Sequence, residues 1–150
     1  MPKNLKIYEN TIIHLCKLKG DKMYIIACVD DRNGLLFNKR RQSRDSKVIE
    51  KIKEITYRKN LWVDPFSKSL FPDAHISEQF LDEAKEGDFC FIENKQPDSK
   101  QVEGIYLFHW NQIYPYDTVF SISIELFHKT YEESFAGTSH DKITLEVYRR

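Results

Sequence analysis

Two rhythms of apolar and polar positions run along this chain. Residues 23–29 (MYIIACV) are an almost unbroken apolar run, the pattern of a strand buried on both faces. Residues 46–57 (SKVIEKIKEITY) instead place apolar side chains at 48, 49, 52 and 55, helical spacing for one buried face. Ahead of both, residues 11–18 (TIIHLCKL) are β-rich, and Lys19-Gly20-Asp21-Lys22 joins them to 23–29 as an expected hairpin. Residues 60–63 read as a short strand, broken by Asp64-Pro65, which opens a short helix through Leu70 with proline at its first position.

Ser77 is the expected N-cap of a second helix over 78–86, with Gly87 as its stop. Residues 88–93 (DFCFIE) and 104–108 read as strands, separated by a polar loop over 94–100. Residues 118–127 and 142–149 read as a final antiparallel pair. A chain that begins βαβα and ends in adjacent strands predicts an α/β fold: a mixed, mostly parallel sheet flanked by helices. The expected organisation is one domain over 1–150, in which 1–22 form an extension carrying the extra N-terminal strand.

Charge narrows the function classes. Lys plus Arg and Asp plus Glu each number 23, so no global field draws the chain to nucleic acid or an anionic membrane. The apolar runs are too short to span a bilayer, and residues 1–10 lack the apolar centre of a secretory signal. Cys16, Cys28 and Cys90 sit in apolar runs without CxxC spacing and read as buried free thiols, which points to the cytoplasm. There is no HxH, HExxH or Cys/His cluster, so no metal is expected, and no GxSxG or Walker loop.

The densest chemistry lies in residues 24–44, where a strand leads through Asn33-Gly34 to four cations within six residues: Lys39, Arg40, Arg41 and Arg44. Guanidinium groups suit phosphate or carboxylate, and Asn38, Gln42 and Ser43 add neutral hydrogen-bonding groups. Such a loop falls where open α/β sheets hold ligands; a solvated charged loop is the plainer reading. Asp45 is placed to pair with those arginines, cap the next helix or act as an acid. His140, in Gly137-Thr138-Ser139-His140-Asp141, and His109 are candidate acid–base groups, against a locally bonded turn histidine. Trp110 would wall a pocket, and Asn111 would contact ligand or cap a helix.

The same residues resemble the dihydrofolate reductase family. Residues 23–56 match its opening strand, D-x-N-G turn (Asp31, Asn33, Gly34), loop and K-E-I-T helix end; 61–71 (LWVDPFSKSLF) match its second strand and phosphate-contacting helix. Residues 105–114 (IYLFHWNQIY) resemble its strand–Gly-Gly–x–x–Ile-Tyr element, and Ser139-His140 with 143–150 its final strand. The resemblance implies that fold, a folate substrate and an NADPH cofactor.

The departures point away from the reductase chemistry. His109-Trp110 stand at the glycine pair, Asp64-Pro65 at the Gly-Arg of the phosphate helix, and Val48 near the catalytic acid. A βα unit is also missing between Glu93 and Gly104. The expectation is a divergent dihydrofolate reductase-like protein without reductase activity and with no cofactor, NADPH included, that binds a phosphorylated small molecule, a nucleotide first among them. The alternatives are a metal-independent ribonuclease or RNA-binding protein, using His140 with His109, and an inhibitor or immunity-type module using the aromatic tracts 108–116 and 126–131. No membrane role is expected.

Overall fold

The computed structural model describes residues 22–150. The expected strand over 11–18 and most of its hairpin turn lie outside the described residues. The centre of the fold is β1 (Met23–Val29), with β6 (Phe89–Phe91) on one side and β7 (Val102–His109) on the other, both parallel to it. Outward from β6 come β4 (Leu61–Val63) and the two-residue β5 (His75–Ile76), again parallel. Outward from β7 come β10 (Ile143–Arg149) and the edge strand β9 (His128–Phe135), joined antiparallel. The seven-stranded order is β5-β4-β6-β1-β7-β10-β9. This is the expected mixed, mostly parallel sheet.

Strand pleating explains the doubly buried run at β1. Successive side chains point to opposite faces, so Ile25, Ala27 and Val29 join one core layer with Phe80, Ile105 and Leu107, while Ile26 joins the other. That second layer is closed by α1 (Ser46–Ile55), which presses Val48 and Ile52 onto Ile26 and Phe108. Each fully buried aliphatic side chain contributes about 1.5–3 kcal/mol. The first layer is closed by a short helix, α2 (Phe80–Glu83), and by a small three-stranded sheet of β2 (Gly34–Phe37), β3 (Arg40–Arg41) and β8 (Thr118–Val119).

Three expected elements differ. Within 118–127 only Thr118–Val119 is strand, and it pairs with β2 rather than with the last strand. Phe120, Ile122 and Phe127 are instead buried plugs of an irregular segment, so their spacing mimics a strand without a ladder. The true partner of β10 is β9, whose side chains are mostly exposed; an edge strand facing solvent carries no burial pattern to read. The helix expected over 78–86 shortens to Phe80–Glu83, because the chain leaves at Ala84 in an extended conformation. Ser77 still caps the turn, its Oγ accepting from Gln79 N at 3.1 Å. Asp64-Pro65 do open the next element, with proline at its first position, but it is a 3-10 turn, Pro65–Ser67, and not a helix reaching Leu70. Between β6 and β7 the chain holds only another such turn, Ser99–Gln101, and no full helix follows either strand.

Candidate functional site

The site lies at the end of β1, where the chain passes into Asp30. Its buried carboxylate accepts from Arg32 N, Gly34 N, Tyr114 N and the Gln42 side chain at 2.7–3.2 Å. Burial pushes this carboxyl upward, but the N–H donors of Gly34, Tyr114 and Arg32 outweigh it and hold its pKa below the ordinary value. Glycine is required at 34. A Cβ there would lie 2.5 Å from Gln42 Nε2 and 2.8 Å from Tyr116 Cβ.

Beyond Gly34 the cationic segment folds into a hairpin rather than a loop. Asn38 and Lys39, both with φ near +50 to +60°, form the two-residue turn between Phe37 and Arg40. Asn38 N donates to Asp117 Oδ2 at 3.0 Å. Pleating then separates the cations that adjacency in sequence suggested would converge. Arg41 turns inward and forms a two-pronged pair with Glu93, both contacts at 2.8 Å, while Glu93 also accepts from Ser67 Oγ. Arg40 and Lys39 face solvent, and Arg44 is exposed with no ion-pair partner among the described residues.

Arg40, Arg41, Asn38 and Gln42 line an open groove of about 560 Å³ together with Phe37, Tyr114 and Pro115. Beside it, sharing Arg41 and Gln42, lies a narrow pocket of about 20 Å³ bounded by Ser43, Arg44, Asp45, Val48, Cys28 and Trp110. That is room for about one water molecule. Burial and the Glu93 carboxylate push the Cys28 thiol far above its usual pKa, leaving it protonated and unreactive.

Asp45 caps α1 and does more. Its Oδ1 accepts from Lys47 N and Thr138 N, each at 2.9 Å; its Oδ2 accepts from Ser139 N at 2.9 Å, Ser139 Oγ at 3.2 Å and His140 Nδ1 at 2.8 Å. Gly137 lets the β9–β10 turn come this close, since a Cβ there would sit 2.5 Å from Asp45 Oδ2. Burial pushes the Asp45 carboxyl up, yet the hydrogen bonds from His140, Ser139, Thr138 and Lys47 win and hold its pKa far below the carboxylate range. The Asp45 carboxylate takes the hydrogen bond of the Nδ1 N–H, which directs Nε2 toward Ser43 and Tyr114. Ser43 Oγ lies 2.8 Å from that Nε2, and the Tyr114 hydroxyl lies 3.3 Å from it. Trp110 stacks on the imidazole with ring centroids 4.7 Å apart. His140 and Asp45 are 7% and 2% exposed.

Of the residues expected to act together, then, Asp45, His140 and Trp110 meet, with Arg44 on the same cavity. His109 does not join them. It lies on the other face of the sheet, bonded to Glu146 beside Phe120 and Ile122. Asn111 caps no helix: its Nδ2 donates to Lys142 O and Thr144 Oγ1, and its φ of 58° turns the chain. Asp30, Glu93 and Tyr114 carry contacts at this edge that single-residue reading passed over, and Ser43, expected only to add a hydrogen-bonding group to the loop, reaches His140. No group of three or more His, Cys, Asp or Glu side chains suited to a metal occurs among the described residues. None of their helices is long and apolar enough to cross a membrane.

The carboxylates make a prediction about acid. Asp30, Asp45 and Asp64 all have depressed pKa values in the fold, Asp64 because the Lys95 ammonium and the Phe66 and Asn94 N–H groups outweigh burial. Their stabilisation is complete above the unfolded aspartate pKa of about 4 and is lost as pH falls through the folded values. Urea midpoints measured from pH 6 to pH 2 should be nearly level at the top and fall steeply below about pH 4. A flat profile across that window would contradict the ionised network.

No protein-family model matches the chain, and no curated protein matches it in sequence. Solved structures do match. One is dihydrofolate reductase from Enterococcus faecalis, complexed with NADP(H) and RAB-propyl, with a TM-score of 0.62. The match covers 86% of this chain and 96% of that one, at 11% identity. The fold is dihydrofolate reductase-like. At that identity the likeness extends to the path of the chain, and chemistry must be argued from the side chains present.

Proposed function

We propose that this protein binds a small phosphorylated molecule, a nucleotide first among them, in the open groove beside the end of β1, and that folate reduction has been lost. The supporting observation is the groove itself. Its volume of about 560 Å³ lies in the range of ligand sites, and it carries the Arg40 guanidinium, which has no ion-pair partner among the described residues, with Asn38 and the Gln42 amide. The Gln42 Oε1 atom is buried and has no hydrogen-bond partner among the described residues, an acceptor available to a ligand N–H or O–H.

The residues present do not fit NADP(H). A pyrophosphate cradle needs a glycine turn running into a helix N-terminus. β6 runs into Glu93-Asn94-Lys95 and β7 into Trp110-Asn111-Gln112, without glycine and without a helix at either exit. At the exit of β4 the Asp64 carboxylate caps the 3-10 turn and pairs with Lys95 at 2.7 Å, so a phosphate there meets an anion. Val48, near the place of the family's acid, is buried against Ile26 and Phe108.

Thermal shift and calorimetry with inorganic phosphate, nucleoside mono- to triphosphates and NADPH test this reading. A phosphorylated nucleotide is expected to raise Tm, and Arg40→Ala to weaken its binding about tenfold without lowering the Tm of the free protein. Equal binding by the variant would remove the groove, and quenching of tryptophan emission by micromolar NADPH would restore the cofactor. The two-histidine ribonuclease has less support, because His109 and His140 stand on opposite faces of the sheet.

A further inference from the structure

We propose that Ser43, His140 and Asp45 form a nucleophilic relay and that the protein hydrolyses esters of very small acyl groups. The inference is independent of the anion groove and can fail or hold without it. It rests on an unbroken line of contacts: Asp45 Oδ2 to His140 Nδ1 at 2.8 Å, and His140 Nε2 to Ser43 Oγ at 2.8 Å. Because the carboxylate fixes the Nδ1 proton, Nε2 is the basic nitrogen and the Ser43 hydroxyl donates to it. That is the arrangement by which a histidine draws the proton from a serine as its oxygen attacks. The ring cannot turn away, since Trp110 stacks on its face and the 137–141 turn is bound to Asp45 through two backbone N–H groups.

A purely structural lock needs Asp45 and the turn, but not the last contact. Ser43 sits on the far side of the ring from Asp45, its Oγ on His140 Nε2, and lines the narrow pocket. Arg44 lines the same cavity with no ion-pair partner among the described residues, and is the group available to offset negative charge on a carbonyl oxygen. Cys28, the other nucleophile on the wall, is held as the thiol.

The step balances with water alone. Ser43 Oγ attacks the ester carbonyl carbon and passes its proton to His140 Nε2; the carbon–oxygen bond to the alcohol breaks, and the alcohol leaves with that proton. Water then attacks the acyl-serine, again giving a proton to Nε2, and the carboxylic acid is released as Ser43 recovers its hydrogen. The narrow space beside Ser43, about 20 Å³, sets the specificity: it leaves no room for a long acyl chain, so the shortest acyl group, acetyl, with its alcohol part outside, is the one expected to react.

p-Nitrophenyl acetate tests this on the full chain. The expected result is steady release of p-nitrophenolate with an acetyl group found by mass spectrometry on Ser43. Ser43→Ala should lower the rate about 100-fold with little change in Tm, and p-nitrophenyl octanoate should react at the Ser43→Ala background. Ser43→Cys should restore an acyl adduct at position 43. His140→Gln should lose the adduct; if that variant unfolds, the alanine and cysteine variants at 43 still decide the matter. Equal rates in wild type and Ser43→Ala, or acetylation confined to surface lysines, overturn the relay and leave the three residues as a structural lock.

Discussion

Asp45→Ala is expected to destabilise the fold by about 3–5 kcal/mol, the range seen when one partner of a buried charged network is removed. Five donors lose their acceptor at once: the N–H groups of Lys47, Thr138 and Ser139, the Ser139 hydroxyl and His140 Nδ1. Loss of the helix cap alone accounts for about 1 kcal/mol. The remainder comes from buried donors without partners, at about 1–3 kcal/mol each before the site relaxes. The contacts also join segments more than ninety residues apart, α1 and the β9–β10 turn, so relaxation on one side opens the other. In urea the midpoint should fall by about 1–5 M at neutral pH, given slopes of about 1–3 kcal/mol per molar. Asp45→Asn should fall less, because one oxygen still accepts, although its amide then faces donors. The variants should also lose part of the steep acid dependence, since the depressed carboxyl that generates it is gone. A stable Asp45→Ala protein would mean that the turn is held by β9 and β10 alone.

What the sequence made legible was what burial imposes on local pattern. The apolar run of β1 and the 3.6-residue spacing of α1 follow from packing against two core layers, and both are present with their expected residues inside. The strand β9 was not legible, because HKTYEESF lies on a solvated edge where nothing selects for alternation. The segment 120–127 misled for the opposite reason: it buries apolar side chains without making a ladder. In the site, Asp45 and His140 were each suspect by residue type, but their meeting depends on contacts 95 residues apart. Ser43 was read only as a neutral hydrogen-bonding group of the cationic loop; its contact with the imidazole depends on where the β9–β10 turn delivers His140. Within the arginine cluster, pleating decided what each cation touches, although Arg40 and Arg41 both line the groove. Neighbours in a strand point to opposite faces, so Arg40 and Arg41, adjacent in sequence, have unlike surroundings.

That separation yields a sharp contrast between two neighbouring arginines. Arg41→Ala is expected to destabilise the fold by about 3–5 kcal/mol, whereas Arg40→Ala should lie within about 0.5 kcal/mol of the parent. Arg41 donates twice to Glu93, once to Phe66 O, and stacks its guanidinium 5.3 Å from the Phe66 ring. Glu93 is 8% exposed, and without Arg41 only Ser67 Oγ remains on its carboxylate. The cost is therefore less the lost attraction than the charge left buried. Glu93 must then draw in water or move toward solvent, and the strand end that carries it loosens. Replacing both partners tests the cause. Arg41→Met with Glu93→Leu removes the buried charge as well as its partner and should recover most of the loss, as apolar substitutes for buried ion pairs do. Chemical denaturation of the four proteins measures it directly. If Arg41→Ala is as stable as Arg40→Ala, the pair with Glu93 is solvated in solution, and Arg41 is free to serve as a second cation in the groove it lines.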